Sequence, residues 1–194
     1  ARSMRRMSDV LDAGQEVQRK RLLDVFGHRN YRLFFTGQAI SLIGFWMQAI
    51  ATSWLVYTMT DSPFWLGLVA FAGQAPVLVV SPFAGVIADR LDRRRILFAT
   101  QGVMMASACV LALLTLSEVV EVWHIVALAT ASGIANAFDV PTRQSFTIEM
   151  VGRADLPRAI AVNSIMFNAA RLVGPAIAGL LVAPARAQEL PNAK

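Results

Sequence analysis

The sequence predicts an all-α membrane protein with five transmembrane helices. Its 194 residues are 56% hydrophobic and only 16% charged, and the mean hydropathy is +0.51. Soluble globular chains carry roughly 45–50% apolar and about 25% charged residues, so the composition excludes a soluble domain and also a disordered chain. The charges stand in short clusters between long uncharged runs. This clustering argues against a nucleic-acid partner as the reason for the net charge of +5.

Each span is predicted from an apolar run, because a helix that crosses a membrane needs about 20 mostly apolar residues. The uncharged runs cover residues 33–60, 62–88, 96–117 and 122–138, and a fifth run, 159–185, is interrupted by Arg171 alone. These runs predict helices over 33–59, 64–88, 96–117, 122–141 and 159–183. The chain is accordingly divided into an N-terminal cytoplasmic segment (1–28), a membrane region (29–183) and a polar tail (184–194).

The distribution of lysine and arginine predicts a cytoplasmic N-terminus. Eight of these residues precede the first span, four lie in the 89–95 loop and three in the 142–158 loop, whereas the 58–63 and 117–122 loops hold none. Positively charged residues in short loops remain on the cytoplasmic side. We therefore expect a multi-pass protein of the cell (inner) membrane that has the lipid bilayer as its first partner.

Polar side chains recur at helical spacing in four spans, and a polar group that faces lipid costs free energy, so these faces should turn inward. They either line a hydrated cavity for a small-molecule substrate or hold the helices together through hydrogen bonds. The cavity candidates are five amides and one arginine: Gln38, Gln48, Gln74, Asn136, Asn168 and Arg171.

Two ionisable residues interrupt the apolar runs and need partners. Arg171 lies about 12 residues into the fifth span, near the middle of the bilayer, where an arginine costs at least about 2.5 kcal/mol on insertion scales. It either lines the cavity and meets an anionic group or forms an internal structural pair. Asp139 lies near the predicted cytoplasmic end of the fourth span, where it either joins a charge cluster or binds a proton.

The most specific segment is Gly85–Arg95, which reads GVIADRLDRRR. Gly85 is expected to permit a close helix approach, which would place Asp89 beside the arginines as a charge-assisted partner. Such a cluster can latch two helix bundles and release when they rock apart. The simpler interpretation is that the arginines only anchor the loop on the cytoplasmic side.

This segment resembles the G-x-x-x-D-R-x-G-x-R-R loop between helices two and three of the major facilitator superfamily, with Asp92 in place of the second glycine. Three further segments, HRNYRLFFTGQ from His28, DVPTRQ from Asp139 and AIAVNS from Ala159, are similar to its drug and siderophore exporters, such as enterobactin exporters. The resemblance implies a cytoplasmic gate formed by Gly85, Asp89, Arg90, Arg93, Arg94, Arg95, Asp139 and Arg143. It also implies a helix-five motif of antiporters at Gly174, Pro175 and Gly179.

The resemblance implies an incomplete N-terminal half of a twelve-helix transporter, with helices six to twelve of the same protein as its partner. The implied function is secondary active export of a small molecule by alternating access, driven by a proton gradient and without a cofactor. The alternative is a truncated, transport-inactive integral membrane protein. No enzyme or metal site is predicted, because His28 and His124 lie on opposite sides of the membrane, Cys109 stands alone, and no phosphate-binding Gly-rich loop follows a strand.

Overall fold

The structure, a computed structural model, describes residues 29–88 and 90–189. Within these residues every regular element is an α-helix: α1 (Arg29–Thr60), α2 (Pro63–Ala88), α3 (Arg93–Leu116) and a final helical run, Val122–Glu189. The final run breaks at Gly152 and contributes two candidate spans, α4 (Val122–Gly152) and α5 (Asp155–Leu181), so that five helices are long and apolar enough to cross a membrane. The predicted all-α class and the five spans are confirmed. The N-terminal segment 1–28, Asp89 and residues 190–194 lie outside the described residues.

The break between α4 and α5 depends on a single glycine. Gly152 has φ 72° and ψ 171°, a conformation that residues with a Cβ adopt only under strain. Immediately after it, Arg158 Nη1 lies 2.5 Å from Asp155 Oδ1 in the first turn of α5. The chain therefore changes direction at Gly152 and begins a new helix with an ion pair three residues apart.

Helix α4 is longer than the sequence predicts. We expected it to end at Pro141 and to be followed by a loop over 142–158, but the helix continues to Gly152. Pro141 has no N–H to donate to the Ala137 carbonyl, but the loss of this one bond does not end the helix. Here Thr142 Oγ1 donates to the Phe138 carbonyl at 2.7 Å and Arg143 pairs with Asp139 one turn earlier. The prediction of a loop is wrong because the polar side chains that suggested it find partners along the helix. Residues 184–189, which the sequence assigns to a polar tail, also have helical backbone.

The outer faces of the helices are covered with large apolar side chains. Leu78, Phe98 and Leu180 are 76–80% exposed, and many other Leu, Ile, Val and Phe residues are also exposed. Apolar surface on this scale is unusual for a protein in water and is expected for helices in contact with lipid. The protein is therefore a multi-pass membrane protein.

The described chain falls into two compact units. The first contains the described residues up to Ile43 together with Thr147–Val173, and the second contains Gly44–Phe146 and the described residues from Gly174 onward. In the first unit, buried Tyr31, Val151 and Ala159 form a small core against which Phe35 and Met150 pack. The second unit holds the cavity described below.

Candidate functional site

A cavity of about 450 Å³ lies within the second unit, among residues of α1, α2, α3 and α4. Its volume falls within the roughly 300–1,000 Å³ of small-molecule sites. The walls are mostly aliphatic and aromatic, with Phe45 and Trp46 from α1 and Met104 and Leu111 from α3. The polar lining consists of amides and alcohols: Gln48, Thr52, Ser53, Gln74, Ser132 and Asn136. The cavity is thus suited to a molecule that is largely apolar but carries hydrogen-bonding groups.

Three carboxamides from three different helices converge on this cavity. Gln48 comes from α1, Gln74 from α2 and Asn136 from α4. None of the three side chains forms a hydrogen bond with another residue that the structure describes. Each carboxamide offers two donor hydrogens and an acceptor oxygen. The geometry favours the cavity interpretation over helix-to-helix bonding for these three residues.

Two glycines bring α2 and α4 together beside the cavity. A Cβ added to Gly133 would overlap the carbonyl oxygen of Gly73 and lie 3.0 Å from its carbonyl carbon, so a larger residue would force the backbones apart. Gln74 directly follows Gly73, and Asn136 lies one turn after Gly133. The close approach of α2 and α4 therefore places the carboxamides of Gln74 and Asn136 at the same cavity.

The close approach predicted at Gly85 is not observed. A Cβ added to Gly85 would meet nothing within 4 Å, and this expectation is therefore wrong. In the described residues, a glycine contact tight enough to exclude a side chain is found at Gly133 instead.

Asp139 is the centre of a buried polar network that joins α3 to α4. Its side chain is fully buried, accepts hydrogen bonds from Thr100 Oγ1 at 3.0 Å and Gln101 Nε2 at 3.2 Å, and forms an ion pair with Arg143. A buried charge is tolerated only when it is paired and hydrogen-bonded, and this carboxylate meets both conditions. The contacts favour a charge cluster over a free proton-binding carboxylate.

Sequence reasoning missed Thr100 and Gln101, which supply the donors from α3. The signal was available, because these adjacent polar residues stand inside the uncharged run 96–117. The rule that polar groups in a membrane helix turn inward applies to them as it does to the residues that we selected.

The loop between α2 and α3 is described except for Asp89. Arg90, Arg94 and Arg95 are exposed and Arg93 is half-buried. Asp92 caps the N-terminus of α3: its Oδ1 accepts from the Arg94 backbone N–H at 2.9 Å, and its Oδ2 lies 3.8 Å from Arg95 Nε. The residue that replaces glycine in the loop pattern is therefore a helix cap.

The other three cavity candidates belong to the first unit. Gln38 is buried in the first unit, Asn168 Nδ2 donates to the Ser164 carbonyl at 2.8 Å, and Arg171 is exposed. Within the second unit, the structure brings together Gln48, Gln74 and Asn136. In the helix-five motif, Gly174 is buried, Pro175 is half-buried and Gly179 is exposed.

Known proteins are similar to this chain in sequence. A family model described as transmembrane secretion effector matches residues 23–189. The chain is 31% identical over 153 residues to the staphyloferrin A transporter of Staphylococcus aureus (strain NCTC 8325 / PS 47), covering 78% of this chain and 38% of that protein. It is 32% identical over 139 residues to a multidrug efflux pump of Mycolicibacterium fortuitum, covering 69% of this chain and 34% of the pump.

The chain is also 25% identical over 159 residues to the enterobactin exporter of Shigella flexneri, covering 80% of this chain and 38% of the exporter. No solved structure gives a significant match. The chain spans little more than a third of the length of these relatives. Because the family match takes in all five apolar helices, the chain belongs to the transmembrane secretion effectors, a transporter family of the major facilitator superfamily.

Proposed function

We propose that the chain takes part in the secondary active export of a small amphipathic molecule by alternating access. The observation that carries this proposal is the 450 Å³ cavity, where three carboxamides without a described hydrogen-bond partner face apolar and aromatic walls inside membrane helices. The relatives are described as a transporter of staphyloferrin A, a multidrug efflux pump and an enterobactin exporter. These descriptions support a small-molecule substrate and an outward direction.

In the proposed mechanism, the cavity and the Asp139 network of the second unit have separate tasks. The cavity binds the substrate through hydrogen bonds to Gln48, Gln74 and Asn136 and through contacts with its apolar walls. The Asp139 network keeps α3 and α4 together, so that these helices move as one body when access alternates. Bundles that rock around a fixed binding site are the usual means of alternating access.

We also propose that a proton gradient drives export. The sequence holds no phosphate-binding Gly-rich loop through which a nucleotide could supply the energy. Protonation can drive transport only if the two access states have different proton affinities. In the proposed orientation the N-terminus and the arginines at 90–95 face the cytoplasm of a bacterial cell, where these arginines contribute to the gate.

The test uses everted membrane vesicles from cells that express the protein. Uptake is measured for a panel of neutral, anionic and cationic amphiphilic drugs and dyes, with and without an uncoupler. We expect uncoupler-sensitive uptake of at least one compound, reduced about tenfold by Gln74→Ala and unchanged by Gln144→Ala, an exposed glutamine outside the cavity. Uptake that resists the uncoupler would contradict proton coupling. Equal uptake in vesicles without the protein would contradict transport and favour an inactive membrane protein.

A further inference from the structure

Among the residues that the structure describes, no ionisable side chain lines the cavity in the second unit. Every residue there is aliphatic, aromatic, glycine, or an uncharged amide or alcohol. The polar groups are concentrated in the three carboxamides at Gln48, Gln74 and Asn136 and in neighbouring hydroxyls. A ligand in this cavity therefore meets donors and acceptors but no countercharge.

The nearest charges on the same face of α4 are already used inside the protein. Asp139 and Arg143 follow Asn136 by one and two turns and form an ion pair with each other. Asp139 is fully buried and also accepts from Thr100, so its carboxylate is not presented to the cavity. The pair cannot neutralise a charged group of a bound ligand without breaking these contacts.

The chemistry of the lining consequently selects against charge. A formal charge that enters a low-dielectric cavity without a counter-ion loses its hydration and gains no ion pair. A neutral amide, ester or hydroxyl group loses much less hydration, and carboxamides match its donors and acceptors. The rings of Phe45 and Trp46, in an edge-to-face pair with centroids 5.7 Å apart, add an aromatic wall for the apolar part of the ligand.

We infer that this cavity binds the uncharged, hydrogen-bonding part of an amphiphile through Gln48, Gln74 and Asn136 and rejects ligand groups that carry a formal charge. The inference rests on the proposed function, because it names the class of substrate that the transport site accepts.

Energy transfer from Trp46 to three matched probes tests the inference. Trp46 lines the cavity and is one of four tryptophans, so Trp54, Trp65 and Trp123 are replaced with phenylalanine in the purified full chain. The acceptors are dansylamide, which is neutral, dansylglycine, which is anionic, and dansylcadaverine, which is cationic. We expect the Kd of dansylamide to be at least tenfold lower than that of either charged probe.

Two variants locate the binding in the cavity. Gln74→Leu keeps the approximate size of the side chain and removes its hydrogen bonds, so the Kd of dansylamide should rise five- to tenfold. Gln144→Leu, the same change at an exposed position outside the cavity, should leave the Kd unchanged. Gln48→Leu replaces Gln74→Leu if the latter does not fold, as judged by thermal unfolding.

Three outcomes would overturn the inference: equal or tighter binding of a charged probe, no saturable transfer to dansylamide, or no effect of either leucine variant in the cavity. The proposed function alone would be contradicted if the chain bound the probes according to their charge but vesicles containing it took up none of the panel.

Discussion

At the scale of single residues, Asp139 shows how a membrane helix can hold a buried carboxylate. Its partners are Arg143 on its own helix and Thr100 and Gln101 on α3, and no part of its side chain is exposed. A buried ion pair is weak evidence of net stabilisation, but the removal of one partner leaves an unpaired charge. The network should therefore be most sensitive to changes that alter its balance of charge.

Asp139→Asn should destabilise the protein by about 3–5 kcal/mol, because it breaks the buried ion pair with Arg143 while the contacts with Thr100 and Gln101 can persist. The measurement is thermal unfolding of the purified protein in detergent. The matched control is the double variant Asp139→Asn/Arg143→Gln, which removes both charges and should recover much of the loss. A single variant as stable as the wild type would show that the ion pair with Arg143 contributes nothing to the stability of the fold.

Asp92 explains why the loop after α2 can depart from the glycine of the family pattern. Its backbone, with φ −65° and ψ 111°, is extended and needs no glycine, and its carboxylate caps α3. Asp and Gly are both accepted at the N-cap of a helix, whereas Ala is poor there. With aspartate in place of glycine at position 92, α3 can therefore still begin at the same residue.

Asp92→Ala should lower the free energy of unfolding by about 0.5–2 kcal/mol, and Asp92→Gly by only a few tenths of a kcal/mol. Neither replacement can accept the bond from the Arg94 backbone N–H, but glycine has no side chain to keep water from that donor. Chemical or thermal unfolding of the two variants side by side provides the measurement. Equal losses would mean that the side chain of Asp92 acts through some contact other than the cap.

At the scale of the helices, the packing of α2 against α4 decides where the cavity amides lie. Gly73 and Gly133 bring the two backbones so close that a Cβ at position 133 does not fit. Helix crossings at small residues are common in membrane proteins because they allow close van der Waals packing. The close contact at this crossing therefore determines where Gln74 and Asn136 lie.

Gly133→Ala should force α2 and α4 apart and cost about 1–3 kcal/mol, as overpacking usually does. It should also weaken dansylamide binding, because the carboxamides then separate. Gly102→Ala is the matched control: a Cβ there meets nothing within 4 Å, and alanine favours a helix over glycine by up to about 1 kcal/mol. Thermal unfolding and probe titration of both variants check the prediction, which fails if the two variants behave alike.

The ends of the helices are less predictable than their existence. Pro141 and the charged residues after it suggested a loop, yet Thr142 and Arg143 bond back to α4 and the helix continues to Gly152. The true break depends on the backbone conformation of Gly152, which local composition does not reveal. Proline is therefore a weak boundary signal within a membrane helix.

At the scale of the whole molecule, the arrangement of charges predicts the orientation of the chain in the bilayer. All 15 lysines and arginines up to Arg158 belong to segments on one predicted side, and the loops on the other side have none. This asymmetry is a strong determinant of topology. It leads to an expectation that can be tested without knowledge of the substrate.

Cysteine labelling in intact cells tests the orientation. After Cys109, the one cysteine of the chain, is replaced with serine, Ser117→Cys should react with a membrane-impermeant maleimide added outside. Leu91→Cys, in the exposed loop after α2, should react only after the cells are made permeable. The reverse pattern would invert the predicted topology and move the arginines at 90–95 to the outer side.

The site could be predicted in part. Face-sharing within each helix selected Gln48, Gln74 and Asn136, which meet at the cavity, and it equally selected Gln38, Asn168 and Arg171, which belong to the first unit. Spacing along a helix predicts which residues share a face, but it does not predict which neighbouring helix that face contacts. Thr100 and Gln101 were missed because their importance depends on Asp139, which is 38 or more residues away along the chain.

The class of protein and the number of spans follow from the apolar runs of the sequence. The penalty for polar groups in lipid acts on each run of about 20 residues separately, and local sequence is enough to evaluate it. The cavity, the α2–α4 crossing and the buried network needed the folded chain. Each depends on how helices rotate and approach one another, and small steric contacts such as that between Gly73 and Gly133 decide these relations.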